Sequence, residues 1–532
     1  MDSPPAPSAA TTPASQLWLP LALALGVVLA YLPSLSGGFL NYDDTWLIRD
    51  NRVLSGPFLS SLRAIWTDLS FPVRTKLGAE FLPLRDTSHL LEIHLFGGAS
   101  ALEMRILQLV LYVGAVLLFR LALLRSLSQR WAAEIATWIF ALHPAHVESV
   151  AWLAGRKDVL ALLFVGGALA VHAGDSRHRP WSVPALLVGA CLSKSMSVAA
   201  LMLLPAVDLV KWRRPDWRVY APAALCCLPL VAIAMHVGHV VGMSVPFWGG
   251  SRWHAVATMG PVWLRYLGLV LWPPGLSMVH DVPVRDAWDA PAWLGVGAMV
   301  GWGIAGAWLA WRRRPMVGAA WLCFVGPLLP VSQMLISIEN RMADRYLFLS
   351  LLGPAWLAAV ALVRLGRRGL VLGGVIVVVL ASATAMRAHL FSDSILLFAD
   401  ATAKTRVNAI GPYQLGMALM EAGRDEEAIA ALREALARAQ PPRTVGRQAT
   451  TALSRLLVRR GDLSEAEALL RRASRDWAPD PIVLGNLAEV VARRGRSGEA
   501  RTLFLEVMRR FPDYTWARDH FREHFGEPPP SP

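Results

Sequence analysis

Asn41-Tyr42-Asp43-Asp44-Thr45 stands just after an apolar run that extends from Leu17 to about Leu35. The run is long enough to cross a bilayer, which puts two adjacent carboxylates at a membrane edge. There they cost desolvation free energy unless water, a cation or a substrate takes them up. A cleavable signal peptide would carry Lys or Arg before a shorter apolar stretch, so the run reads as an uncleaved first span. In extended backbone Asp43 and Asp44 point to opposite faces. One then meets a substrate while the other caps a helix starting near Thr45 or pairs with Arg49 or Arg52. Both are expected to be exposed, so that removing either charge leaves stability nearly unchanged.

The rest of the chain supplies a membrane context. Of 532 residues, 55% are apolar and only 17% charged, where a soluble domain carries about a quarter; mean hydropathy is +0.41. The net charge of +13 sits largely in short Arg/Lys clusters between apolar runs, the pattern of loop anchors and not of a nucleic-acid surface. The four cysteines, Cys191, Cys226, Cys227 and Cys323, all fall in apolar runs and read as buried thiols, with neither a disulfide framework nor a paired-cysteine metal motif. Residues 1–16, rich in Pro, Ala, Ser and Thr, read as disordered.

Spans are predicted near 17–36, 103–124, 131–146, 157–173, 181–194, 196–210, 219–241, 291–311, 316–336, 343–363 and 369–387, about eleven in all. Arg120, Arg125 and Arg130, then Arg177 and Arg179, then Lys211, Arg213, Arg214 and Arg218, then Arg312 to Arg314, then Arg364, Arg367 and Arg368 mark the cytoplasmic loops. That bias puts the Asp43-Asp44 loop outside, and an odd count puts the C-terminus outside with it. Pro261 to Trp272, interrupted by Arg265 and closed by Pro273-Pro274, reads as lying on the outer face or dipping into it. The first outer loop, about 37–102, is too long for a plain connector. Its amphipathic pieces around Phe58–Trp66 and Leu90–Phe96 suit helices lying along the interface.

After about residue 388 the composition changes. Gly416, Gly423, Ala428, Leu432 and Ala435 recur as Leu453, Gly461, Ala466, Leu470 and Ala473, and again as Leu487, Gly495, Ala500, Phe504 and Pro512. A period near 34 residues, with a small insertion at Pro441-Pro442, is the spacing of tetratricopeptide helix pairs. The predicted organisation is a disordered start (1–16), a membrane domain (17–387) with the long first loop (37–102), a connector (388–407), the repeats (408–516) and a tail (517–532).

The second chemistry-bearing stretch is His143-Pro144-Ala145-His146-Val147-Glu148-Ser149-Val150-Ala151-Trp152-Leu153-Ala154-Gly155-Arg156-Lys157-Asp158. Pro144 biases His143 out of helical geometry, so the span should end there. The loop charges place the block outside, where cations are not needed for orientation. Arg156 and Lys157 there suit phosphoryl oxygens. Arg85, Lys194, Arg341 and Arg345 recur on the same side. His143 and His146 leave a divalent cation open as a cofactor but commit no third ligand.

Asn-Tyr-Asp-Asp after the first span, the 143–158 block, Arg345-Tyr346-Leu347-Phe348-Leu349 and terminal repeats occur in that order. This resembles the transmembrane-and-tetratricopeptide proteins of the protein O-mannosyltransferase type, within the GT-C class that uses polyprenyl- or dolichyl-phosphate sugars. The resemblance implies an all-α, GT-C-like polytopic helix bundle followed by a repeat solenoid. It implies a catalytic acid in the first outer loop, here Asp43 or Asp44, a lipid-phosphate donor, and repeats on the non-cytoplasmic side. Where the family has aromatic-Arg-Pro-Leu, this chain has Phe81-Leu82-Pro83-Leu84, with Arg85 after it.

The chemistry agrees. A hydroxyl nucleophile gains from a carboxylate base. A lipid phosphate leaves without a protonating acid and gains from cations, here Arg156, Lys157, Lys194, Arg341, Arg345 and Arg85. His143, His146, Glu148 and Asp158 support them, and direct displacement inverts the anomeric carbon. The expected function is transfer of a sugar from a polyprenyl phosphate to a protein Ser/Thr or glycan hydroxyl. The repeats engage an acceptor or protein partner, and the abundant Ala, Arg, Gly and Leu suit a bacterial inner membrane. The alternative is a non-catalytic scaffold whose outward repeats recruit envelope proteins.

Overall fold

The computed structural model describes residues 13–243, 245–439, 444–476 and 479–528, with side chains from Trp18 onward. Of the start read as disordered, residues 1–12 lie outside the described residues, and Pro13 begins the first helix, Pro13–Tyr31. The Pro441-Pro442 insertion also lies outside them. Every regular element among the described residues is helical.

Apolar runs become helices because hydrocarbon leaves no other partner for backbone N–H and C=O groups. Among the described residues, five helices are long and apolar enough to cross a membrane: Trp18–Ser36, Ala101–Ser126, Trp217–Val240, Ala290–Trp311 and Gly366–Leu390. Asp344–Ser350 with Leu352–Arg364, bent by 54°, makes a sixth if counted as one span. Ser195–Val210 and Met316–Leu328 are shorter apolar helices. The remaining apolar runs are broken by their own polar and proline residues. Helix Arg130–Ala141 has 12 residues, about 18 Å at 1.5 Å per residue, and stops before His143, whose backbone is extended (ψ 128°) ahead of Pro144. Helix Arg156–Ala173 opens on Arg156, Lys157 and Asp158.

Segment 261–271, expected to lie on or dip into the outer face, is not among the helices long and apolar enough to cross. It is the second half of a 20-residue helix, Arg252–Leu271, packed against Ala290–Trp311. A Cβ on Gly295 would strike the Gly260 carbonyl, so two glycines let the backbones touch there. Cys191, Cys227 and Cys323 are buried, but Cys226 is exposed, because it lies on the outward face of Trp217–Val240.

The first loop folds into helices Phe58–Thr67, Phe71–Lys76 and Pro83–Leu95. They bury Ile65, Leu90 and Ile93 and leave Leu59, Phe71, Leu91 and Leu95 exposed, as interfacial amphipathic helices do.

The chain divides into two compact units, a membrane unit running to Asp393 and a repeat unit from Ser394 that also takes Ser277–Asp281. The repeat unit pairs Ile410–Glu421 with Asp425–Arg438, Thr444–Arg460 with Leu463–Asp476, and Pro481–Arg493 with Ser497–Arg510. Gly423, Gly461 and Gly495 sit at positive φ (72°, 88° and 78°) where each first helix turns into its second. Gly416 packs so closely on Leu432 that a Cβ would lie 2.7 Å from the Leu432 side chain.

Gly295→Leu should push Ala290–Trp311 off Arg252–Leu271 and cost roughly 1–3 kcal/mol. Thermal unfolding of the detergent-solubilised protein checks this. A melting temperature matching the parent would mean that the close glycine contact is not needed.

Candidate functional site

The outer end of the membrane unit is fixed by two side chains of helix Ala101–Ser126. Arg105, 3% exposed, donates to the carbonyls of Ser34 (3.0 Å), Ala151 (2.7 Å), Gly38 (2.7 Å) and Phe391 (3.2 Å). One guanidinium thus joins the end of the first span, the first loop, the 143–158 block and the end of the last membrane helix. Gln108 donates to the carbonyls of Ser149, Val150 and Trp152 and accepts from Arg156 Nε at 2.9 Å. The broken helical turns at 144–155 leave carbonyls that no helix satisfies, and these two side chains take them up.

Asp44 belongs to this framework. It is fully buried, and its backbone is helical (φ −62°, ψ −33°), not extended, with no side-chain cap on the π-helical turn Thr45–Arg49. Its carboxylate accepts from Leu40 N at 3.1 Å and Ala154 N at 2.9 Å, tying the loop to the block across 110 positions. Burial raises its pKa to about 7, against the two backbone donors and Arg105. The equal exposure expected for both aspartates therefore fails for Asp44, because the chain turns at this point and aims its carboxylate inward.

Asp43 is half-buried and accepts a hydrogen bond from Trp46 Nε1 at 3.2 Å. Burial raises its pKa, opposed by the charges of Lys157 and Arg345. Lys157 donates to Glu80 at 2.7 Å, and Arg85 reaches the same Glu80 oxygen at 2.9 Å. Burial opposes ionisation of Glu80, yet Lys157 and Arg85 bring its pKa down to about 2. Arg85 is itself buried and also holds Asp86 and the Leu77 carbonyl.

A cleft of about 410 Å³ lies alongside, lined by Asp158, Lys194, Ser197, Arg345 and Tyr346 among apolar residues. Lys194 is paired with Asp158, and Arg345 with Glu148, which also accepts from Arg345 N at 3.1 Å. Asp158 Oδ2 and Ser197 Oγ are buried and have no hydrogen-bond partner among the described residues. Arg345 connects the cleft with the loop. Its guanidinium lies 5.7 Å over the Trp152 ring, Trp152 contacts Tyr42 at 5.7 Å, and its charge acts on Asp43.

Other residues singled out by sequence hold the frame. Arg156 is fully buried between Glu92 (2.9 Å), Gln108 and the Met104 carbonyl (2.9 Å). His143 donates from Nε2 to the Val270 carbonyl at 3.0 Å and accepts from Ala145 N at Nδ1. His146 bridges Tyr112 Oη (2.7 Å) and the Phe348 carbonyl (3.0 Å). Arg341 stacks over Trp248 at 4.2 Å, apart from the cleft lining. Among the described residues no three His, Cys, Asp or Glu side chains converge as a metal set. Arg105, Gln108 and Glu80 were not singled out from sequence. The one available signal was an Arg and a Gln inside an otherwise apolar span.

Asp44→Asn keeps one acceptor but turns an amide against the other backbone N–H, and should cost about 1–3 kcal/mol. Asp44 has a raised folded pKa, so its contribution to stability is full below about pH 3.8 and is lost as pH rises through about 7. The Asn variant should therefore melt lower than the parent at pH 5 and lose part of the parent's decline between pH 5 and 8. A parental melting temperature at both pH values would remove Asp44 from the framework.

Tetratricopeptide-repeat sequences match residues 383–443 and 451–515. A protein O-mannosyl-transferase of Caenorhabditis elegans is 24% identical over 315 residues, 55% of this chain and 44% of that protein. Protein O-mannosyl-transferase Tmtc1 of Drosophila melanogaster is 30% identical over 193 residues, 35% of this chain and 22% of that protein. The chain thus matches less than half the length of these curated relatives. The crystal structure of an Archaeoglobus fulgidus oligosaccharyltransferase, tethered with an acceptor peptide, superposes with a TM-score of 0.40 at 15% identity, covering 78% of this chain and 59% of that one. The chain is an integral membrane protein with tetratricopeptide repeats, similar to curated protein O-mannosyl-transferases.

Proposed function

We propose that the protein is a glycosyltransferase that moves a sugar from a polyprenyl-phosphate donor to a protein Ser/Thr or glycan hydroxyl. Asp43 is its general base. The observation that carries this reading is the division between the two aspartates. Asp44 is committed to two backbone donors, while Asp43 stays half-buried under the charges of two cations.

The cleft suits a sugar phosphate. Lys157 and Lys194 each give one hydrogen bond to a carboxylate, leaving two of three donors per ammonium for phosphoryl oxygens. Arg345 adds a planar cation between the cleft and the loop. Asp158 Oδ2 and Ser197 Oγ are buried polar atoms in need of partners, which sugar hydroxyls supply. A prenyl chain has a place nearby. An apolar groove of about 750 Å³ is lined by Val256, Trp263, Met299 and Trp321, and Leu328, Leu329 and Ser332 line it while Pro327 and Val331 line the cleft.

In the step, Asp43 takes the acceptor hydroxyl proton as the oxygen attacks the anomeric carbon and the lipid phosphate departs. Lys157, Lys194 and Arg345 hold the charge that develops on the phosphate, and backside attack inverts the centre. Arg85, Arg156, Glu80 and Glu148 orient these groups, and Arg341 stands over Trp248 as an outer phosphate contact. About eleven crossings, some short or broken, put the first loop and the repeats outside the cytoplasm, in the periplasm of a bacterial inner membrane. The repeat groove lined by Tyr413, Met417, Arg447 and Arg455 engages an acceptor segment or partner.

Asp43→Asn should lower turnover by about 10²–10⁴ while the protein still reaches the membrane and binds donor. Transfer of radiolabelled sugar from synthetic polyprenyl-phosphate sugars measures it, and parental turnover would remove Asp43 from the mechanism.

The base must be ionised, so kcat falls as pH drops through the Asp43 pKa. Lys157 lowers that pKa, so Lys157→Gln should move the acid limb of the kcat profile to higher pH. A limb that stays put, or moves down, means that Lys157 does not act on the titrating group.

A further inference from the structure

The opposite end of the bundle carries a second cationic cleft that sugar transfer does not use. Helix Ala101–Ser126 has Arg105 near the Asp43 loop and Arg125 some 20 residues on, about 30 Å away at 1.5 Å per residue. There a cleft of about 1040 Å³ opens between helix ends, lined by Arg125, Lys211 and Arg364. None of its lining residues is acidic. Carboxylates on neighbouring elements are engaged elsewhere, Glu134 by Arg120, Asp175 by Arg213 and Asp208 by Tyr220.

The cations are held differently. Arg125 donates to the Ala170 carbonyl at 2.8 Å, and Lys211 to the carbonyls of Arg125 (2.6 Å) and Ala173 (2.8 Å). Neutral carbonyls place these charges without cancelling them. Arg364 has no hydrogen-bond or ion-pair partner among the described residues. Helices Arg130–Ala141 and Met316–Leu328 both begin at the cleft, and neither has a side-chain cap. Their first N–H groups add partial positive charge. The Lys211 ammonium is held below its ordinary value, by burial first and then by Arg213.

Three cations and two helix starts with no acid among them call for an anion. Val210, Met316 and Val360 give the wall an apolar part, beside the neutral polar Ser126, Ser128 and Gln129, and Trp131, 53% exposed, lies between Arg130 and the lining residue Ala132, as indoles sit at headgroup level. We infer that this cleft binds the phosphate of an anionic phospholipid, with Arg125, Lys211 and Arg364 as its cationic wall. The bound lipid joins the ends of helices Ala101–Ser126, Arg130–Ala141, Leu203–Val210, Met316–Leu328 and Leu352–Arg364.

Native mass spectrometry of the full chain in neutral detergent tests this, with phosphatidylglycerol and phosphatidylcholine as probes. The chain should retain one phosphatidylglycerol and lose phosphatidylcholine. Arg364→Gln, at a side chain with no structural partner, should weaken retention about tenfold. Arg312→Gln with Arg313→Gln removes charge from the same end outside the cleft and should leave retention unchanged. Equal weakening in that control would make the attraction a general surface charge and overturn the site. Full displacement of the lipid by millimolar inorganic phosphate would overturn the lipid as its source, because the acyl-side wall would then contribute nothing.

Discussion

A buried guanidinium–carboxylate pair governs the outer end of this protein. Arg105 and Asp44 do not bond to each other directly. Their charges interact, and each spends its hydrogen bonds on backbone: four carbonyls for Arg105 and two amides for Asp44. An isolated buried charge of either sign would be costly, but opposite charges surrounded by oriented peptide dipoles are tolerated. What they hold is irregular backbone: the loop after the first span and the broken turns at 144–155. Such backbone is stable near a membrane only where protein groups satisfy it. Removing either member would leave several peptide groups without partners at once, so the loop and the block depend on the pair together.

The same accounting separates the framework from the cleft. Framework cations contact carbonyls or are enclosed by several acceptors, as Arg156 is by Glu92, Gln108 and Met104. Lys194 and Arg345 of the cleft lining, and Lys157 beside Asp158, each have one carboxylate partner and remain partly exposed, 20% for the Lys157 side chain, 16% for Lys194 and 12% for Arg345. A carboxylate partner keeps a lysine ordered and charged without consuming its remaining donors. The pairing also keeps neighbouring cations from repelling one another and splaying apart.

Much of this could be read from the chain, and the parts that could not share a cause. Local signals were legible. Pro144 ends the helix before it, glycine recurs at each repeat turn, and alternating small and large residues mark the paired helices. These depend on residues within a turn or two of one another. Partners were not legible, because they come from afar: Arg105 meets Phe391 across 286 positions and Arg345 meets Glu148 across 197. Asp344, next to Arg345 in the chain, is taken instead by Arg387 at 2.7 Å. Span counting suffered differently. Apolarity marks what lies in the membrane, but the segments around Pro144 and Lys194 fold as short or broken helices, shorter than the five long ones.

The two adjacent aspartates show how a single turn of backbone assigns chemistry. Alternation along an extended strand was a sound expectation for Asp43-Asp44, and it correctly separates the two side chains, but the geometry that does so is a turn leading into Thr45–Arg49. The turn directs Asp44 into two peptide donors, which offset part of the burial that raises its pKa to about 7. It leaves Asp43 with one indole donor and two cations at longer range. Both oxygens of Asp44 are committed to backbone donors of the framework. The two side chains are chemically identical, so what sets them apart is the donors each one meets, two backbone amides for Asp44 and one indole for Asp43, and the turn of the backbone decides that.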